Sequence, residues 1–230
     1  MALVKYGGGI IQLSGKIAGN VFAKNSTSSY VRSWRKPVNP NTQLQDNIRR
    51  AMQYLTNYWS DVLSDANRAL WETYANAIAM KNKLGETVKL SGFNHFIRSN
   101  IIWYKNEGSV KAVGPSALTL PASAGGFAVA AASAGQSISI SFTNTEVWAL
   151  EVGSRLWVFE GQARNITRNF FGGPWRYLVA VAGADPAPTS PEIHGTSWGF
   201  AAGQKISVYG RVQRADGRLS EPFTAECIAT

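Results

Sequence analysis

The chain has 230 residues, with 23 Lys and Arg against 14 Asp and Glu, two histidines and one cysteine. That length allows one large domain or two small ones with buried cores, and 45% hydrophobic residues exclude wholesale disorder. A single thiol excludes an internal disulfide framework and a structural zinc site, and no run of about 20 apolar residues could span a bilayer. The opening Met-Ala-Leu-Val-Lys lacks the apolar run of a signal peptide, so a soluble protein of a reducing compartment, with no membrane partner, is expected. Only 16% of residues are charged, against the usual quarter, so much of the surface is neutral and suited to meeting another subunit.

Charge is divided unevenly. Residues 1–108 hold 14 basic and six acidic side chains, whereas residues 109–230 hold nine and eight. Before Asp46 there is no acid, while Lys5, Lys16, Lys24, Arg32, Arg35 and Lys36 are all present. Residue usage changes at the same place, through Gly108-Ser109-Val110-Lys111-Ala112-Val113-Gly114-Pro115, which reads as a linker. The expected fold class is α+β in two modules: a basic β-ribbon arm (1–40), a small helical bundle (41–108) and an antiparallel β-sandwich (109–230).

In the arm, Gly7-Gly8-Gly9 precedes alternating runs near Ile10–Leu13, Ile17–Ala23 and Tyr30–Trp34, separated by turn-like Ser14-Gly15-Lys16 and Lys24–Ser28. So few large apolar groups cannot build a core, and a ribbon that pairs with something else is the better reading. Pro37 and Pro40, lacking backbone donors, stop strand pairing. Thr42 and Gln45 have capping-box spacing, and Leu44, Ile48, Ala51, Leu55, Tyr58 and Val62 recur at helical intervals, predicting a helix over 42–62. Ser64 caps a second helix with the face Leu70, Trp71, Tyr74, Ala75 and Ile78. Ser91 caps a third with Phe93, Phe96, Ile97, Ile101 and Tyr104. Between them, Asn82–Thr87 reads as a turn with short flanking strands.

The second module has strand-like runs at Ser137–Phe142, Arg155–Gly161, Tyr177–Ala182, Lys205–Gln213 and Leu219–Ile228, with weaker ones near Phe127–Ala132 and Trp198. Asp216-Gly217 between alternating flanks is a hairpin signal. Ile206–Val212 followed by Asp216-Gly217-Arg218-Leu219-Ser220-Glu221-Pro222 resembles the last hairpin of fibronectin type III domains, which implies a fibronectin-like or immunoglobulin-like sandwich. The stretches Ala122–Gly135 and Gly183–Gly199 read as exposed or neighbour-contacting segments.

Catalysis needs converging titratable groups, and these are scarce. His95 and His194 lie in different modules, Cys227 has no histidine nearby, and the acids of the second module are scattered. Gly9–Ile17 superficially matches a phosphate loop, but five residues separate its glycines and Ile17 replaces the hydroxyl that would hold magnesium. No enzyme, cofactor or metal is expected. The candidate partner-binding residues are Lys16, Lys24, Tyr30, Arg32, Trp34, Arg35, Lys36, Arg49 and Arg50. Phe170, Phe171 and Trp175 form a second candidate contact surface. The basic set suits an acidic protein neighbour, with Trp34 as anchor. Alternatively it suits nucleic acid, with cations on phosphates and aromatics on bases. Trp59–Ser64 with Arg68, Trp71, Tyr74 and Ala75 is similar to the closing helices of HMG boxes, although a Gly-rich ribbon stands where their first helix would be. A carbohydrate-binding or adhesive role for the sandwich is a further alternative.

The order of the motifs carries a family resemblance. Leu13-Ser14-Gly15-Lys16-Ile17-Ala18-Gly19 comes first, then Val38-Asn39-Pro40-Asn41-Thr42, Leu63-Ser64 with Arg68, Trp71, Tyr74 and Ala75, and Leu90-Ser91-Gly92-Phe93-Asn94-His95-Phe96. Over residues 7–100 this resembles poorly characterised virion structural proteins of tailed bacteriophages and prophages. The resemblance implies a homo-oligomeric particle component made in the host cytoplasm and located in the virion, with other capsid or tail subunits as partners and no catalytic residues.

Overall fold

Local chemistry sets where each helix begins. In the computed structural model, which describes every residue except Met1, Tyr6, Ile11, Ser26, Lys36, Pro37 and Lys83, helix α1 spans Gln43–Asn57. Thr42 Oγ1 accepts from Gln45 N, and Gln45 Oε1 accepts from Thr42 N, both at 3.4 Å, so the capping box closes. Removing the hydroxyl with Thr42→Ala should cost about 1 kcal/mol, read as a lower urea midpoint. The helix continues as one π-helical turn at Tyr58–Val62, where Leu63 N donates to Tyr58 O. Ser64 caps α2 (Asp65–Ala77) and Ser91 caps α3 (Gly92–Glu107), each hydroxyl accepting the backbone N–H three residues on. Helix α3 stops at Gly108, whose positive φ of 70° suits a residue without a Cβ.

The chain divides into two compact units, Met1–Gly114 and Pro115–Thr230. In the first, β1 (Ala2–Val4), β2 (Gly15–Ile17), β3 (Asn20–Lys24) and β4 (Ser29–Ser33) form an antiparallel sheet in the order β1-β4-β3-β2. A hairpin of β5 (Met80–Lys81) and β6 (Thr87–Val88) joins α2 to α3 around the Asn82 turn. The helices supply the buried core. Phe96 is its hub, with Trp71 edge-on at 5.7 Å, Trp59 at 5.2 Å and Tyr58 at 6.3 Å, and Leu55, Ala75 and Ile78 of the same unit are buried too. Gly92 lets α3 start against α2, because a Cβ there would stand 2.7 Å from Glu72 N. Residues 109–114, linker-like in sequence, are tied to these helices. Lys111 N donates to Asn100 Oδ1 at 2.7 Å, and Trp71 Nε1 donates to Ala112 O at 3.1 Å.

The second unit holds β7 (Ala128–Ala132), β8 (Ser137–Ser141), a short helix α4 (Val147–Leu150), β9 (Arg155–Gly161), β10 (Trp175–Ala182), β11 (Glu192–Gly195), β12 (Lys205–Gln213) and β13 (Phe223–Ile228). They make two antiparallel sheets, β10-β9-β12-β13 and β11-β8-β7. Alternation sends Leu156, Val158, Ile206, Val208 and Val212 from one sheet, and Ala131, Ile138 and Ile140 from the other, into a shared core with Trp148 and Phe200. The structure is thus mixed α/β, with helices and several antiparallel sheets.

Three sequence expectations change here. No strand forms at Trp198; the third strand of the smaller sheet is β11, within the stretch read as exposed. The last strand starts at Phe223 rather than Leu219, since Pro222 has no N–H to give the ladder, and Leu219 keeps one bridge to Gln213. The stretch Ala122–Gly135 holds the strand expected near Phe127–Ala132, as β7, and is not wholly exposed, because Ala131 is buried.

Candidate functional site

A four-stranded sheet ordinarily buries one face, and the N-terminal sheet does not. Among the described residues, none before Ala51 is buried. Ile17, Trp34 and Val38 are exposed, and α1 has an exposed apolar stripe of its own, with Leu44 (63% exposed), Ile48 (43%) and Met52 (40%) at intervals of four residues. The helical periodicity that predicted one core face is therefore split. Ala51 and Leu55 enter the core, whereas Leu44, Ile48 and Val62 face outward. Sequence reasoning missed this stripe, because spacing shows that a face exists and not what covers it.

Register assigns the arm's side chains to opposite sides. Lys16, Val21 and Arg32 are directly paired across β2, β3 and β4, so they share a face, and Ala23 and Tyr30 stand in the next row of that face. Trp34 joins them, since Lys16 Nζ lies 3.9 Å from the centre of its ring. Phe22, Val31 and Val4 occupy the opposite face, with Ile17 on β2 and Lys24 opposite Ser29. Of the nine candidate partner-binding residues, the fold gathers Lys16, Tyr30, Arg32 and Trp34. Lys24 is on the other side, Arg35 is exposed beyond β4, and Lys36 lies outside the described residues. Arg49 and Arg50 are engaged within the chain. Arg49 donates to Asn39 Oδ1 at 2.8 Å and Asn41 Oδ1 at 3.3 Å, and Arg50 pairs with Asp46 at 2.7 Å. Lys5 meets Glu86 at 3.5 Å. Glu86 is held below the usual carboxylate range chiefly by the Asn82 side-chain hydrogen bond, with Lys5 adding to it.

The second candidate surface lies in the loop between β9 and β10. Arg164 pins this loop: its guanidinium donates to Phe170 O and Gly173 O, both at 3.2 Å, and lies 4.1 Å from the Phe171 ring centre. Phe171 packs edge-on against Trp175 at 4.5 Å, Trp175 against Tyr209 at 4.8 Å, and Tyr209 stacks on Phe159 at 4.7 Å. These rings satisfy one another, and burial pushes the Tyr209 phenol up. Phe170 alone of the three candidates projects, 82% exposed. Arg164 carries the loop's geometry, and the sequence reading did not single it out.

Titratable groups do not converge into a catalytic arrangement among the described residues that carry unusual environments. His95 is fully buried in the helical core, whereas His194 on β11 is 3.0 Å from Glu192 Oε2. Cys227 on β13 is half-buried, and burial raises its thiol. Lys205 Nζ lies 2.5 Å from Glu226, whose carboxyl is lowered first by that hydrogen bond. Among the described residues no three His, Cys, Asp or Glu are grouped to hold a metal, and no helix is long and apolar enough to cross a membrane. The chain matches no family model, no curated protein and no solved structure.

Proposed function

We propose that the protein is a non-enzymatic structural component of a phage particle, a capsid decoration or a head–tail or tail part, that docks on neighbouring subunits through its N-terminal arm. The carrying observation is the absence of any buried residue before Ala51 among the described residues, in a segment that nonetheless forms a four-stranded sheet. Such a sheet with Ile17 in solvent, and a helix α1 with Leu44, Ile48 and Met52 in solvent, gain most by burying apolar area against another subunit, at about 25 cal/mol per Å². Its strand edges β1 and β2 offer main-chain donors and acceptors for strand addition. The motif order that resembles phage virion proteins supplies the particle, and the acid-free run before Asp46 favours acidic neighbours. In this reading the second unit is a fibronectin- or immunoglobulin-like sandwich displayed at the surface, and the protein acts as a homo-oligomer in the virion.

Deleting residues 1–36 tests the assignment, because the buried residues of the helical core all lie later. The truncated protein should unfold within about 1 kcal/mol of the intact chain yet fail to enter particles assembled from the surrounding genes. The substitutions Leu44→Gln and Ile48→Gln should weaken incorporation in the same direction. Normal incorporation of the truncated protein would overturn the proposal.

A further inference from the structure

The two faces of the N-terminal sheet differ in chemistry, and that difference points to two uses. On the first face, Phe22, Val31, Val4 and Ile17 suit an apolar protein contact. The second face places Lys16 and Arg32 in one cross-strand row flanking Val21, with Tyr30 in the next row and Trp34 at the end. We propose that this second face binds single-stranded nucleic acid, with Lys16 and Arg32 on phosphates and Trp34 and Tyr30 offered to bases. The inference does not depend on the particle assignment.

Three observations carry it. The first is charge. No Asp or Glu precedes Asp46, and the Glu86 carboxylate that reaches the sheet is taken by Lys5. Arg32 is exposed and pairs with no acid among the described residues, so the row stays cationic and attracts a polyanion. The second is spacing. Neighbouring strands stand about 4.8 Å apart, which sets the β2 and β4 backbones under Lys16 and Arg32 about 10 Å apart. A flexible single strand can track that row. The third is the pairing of cation and ring. Trp34 is 55% exposed and Lys16 lies over it, the combination of charge and stacking surface that holds unpaired bases without reading their sequence.

The test uses the full chain and a fluorescent 30-nucleotide single-stranded DNA, with the matching duplex and an RNA of the same sequence as further arms. Arg32→Glu and Lys24→Glu change the net charge equally but lie on opposite faces. Arg32→Glu is expected to weaken single-strand binding at least tenfold and to flatten the logarithmic salt slope by about 0.7. Lys24→Glu should weaken it less than threefold. Trp34→Ala should weaken it about tenfold through lost stacking while leaving the salt slope unchanged. Arg32→Gln, a milder change at an exposed site, should give a smaller loss in the same direction, with circular dichroism confirming that each variant folds. The proposal is overturned if no strand binds at low salt, if Arg32→Glu and Lys24→Glu weaken binding equally, or if duplex is preferred and Trp34→Ala has no effect. Binding confined to acidic proteins counts against it in the same way.

Discussion

Replacing Trp71 by alanine is expected to destabilise the first unit by roughly 3–5 kcal/mol, a large share of the stability of a domain this size. Trp71 is fully buried on α2 and touches the hub ring, Phe96, edge-on, with Tyr74 at 6.2 Å on its other side. Its indole Nε1 also donates to Ala112 O, so the variant loses an apolar contact surface and the bond that holds residues 109–114 to the helices. Urea unfolding followed by tryptophan fluorescence and by far-ultraviolet circular dichroism would show an early transition for the helical unit. A midpoint within error of the unsubstituted protein would contradict the core described here. Trp71→Phe, which keeps a ring against Phe96, should recover about half of the loss.

Acidification is expected to weaken the same unit through His95. The imidazole is fully buried on α3, lies edge-on to Tyr74 at 5.2 Å, and neither ring nitrogen has a hydrogen-bond partner. Burial, followed by the nearby Arg98 charge, holds its pKa down to about 4, against an ordinary value of 6.5. An unfolded chain takes up this proton near pH 6.5, whereas the folded chain resists it until about pH 4. Stability from this group is therefore complete above pH 6.5 and falls as pH drops from 6.5 to 4, by roughly 3 kcal/mol in all. His95→Phe removes the titration and two buried polar atoms without partners. It should match or exceed the unsubstituted protein at pH 7 and widen its advantage toward pH 4.5. Glu86 and Glu226, both held below the usual carboxylate range, also lose stability on acidification, so the informative quantity is the difference between the two proteins at each pH. A parallel pH dependence in the variant would remove His95 as the cause.

The starts of the three long helices were legible because they depend on a few adjacent residues. Thr42 with Gln45, Ser64 and Ser91 each satisfy backbone donors within one turn, and no distant contact is needed. Most strands of the second unit followed from alternation, β11 excepted, and the Asp216-Gly217 turn from the positive φ that Gly217 adopts. The candidate site was legible as a list and not as an arrangement. Lys16, Lys24, Tyr30, Arg32 and Trp34 stand out as cations and aromatics in an acid-free segment. Only register separates Lys24 from Lys16 and Arg32, since a slip of one residue would exchange the faces. Arg49 and Arg50 were indistinguishable from the others until Asn39, Asn41 and Asp46 came within bonding distance.

The sequence by itself determined that the amino-terminal segment is basic, poor in core-forming residues and followed by capped amphipathic helices, because composition, capping and periodicity are local properties. Tertiary structure decided which part of each amphipathic face is covered. It buried Ala51 and Leu55 but left Leu44 and Ile48 in solvent, enclosed His95 without a hydrogen-bond partner, and set Lys16, Arg32, Tyr30 and Trp34 on one face of a sheet. Burial and strand register are relations between distant segments, and no local pattern of residues contains them.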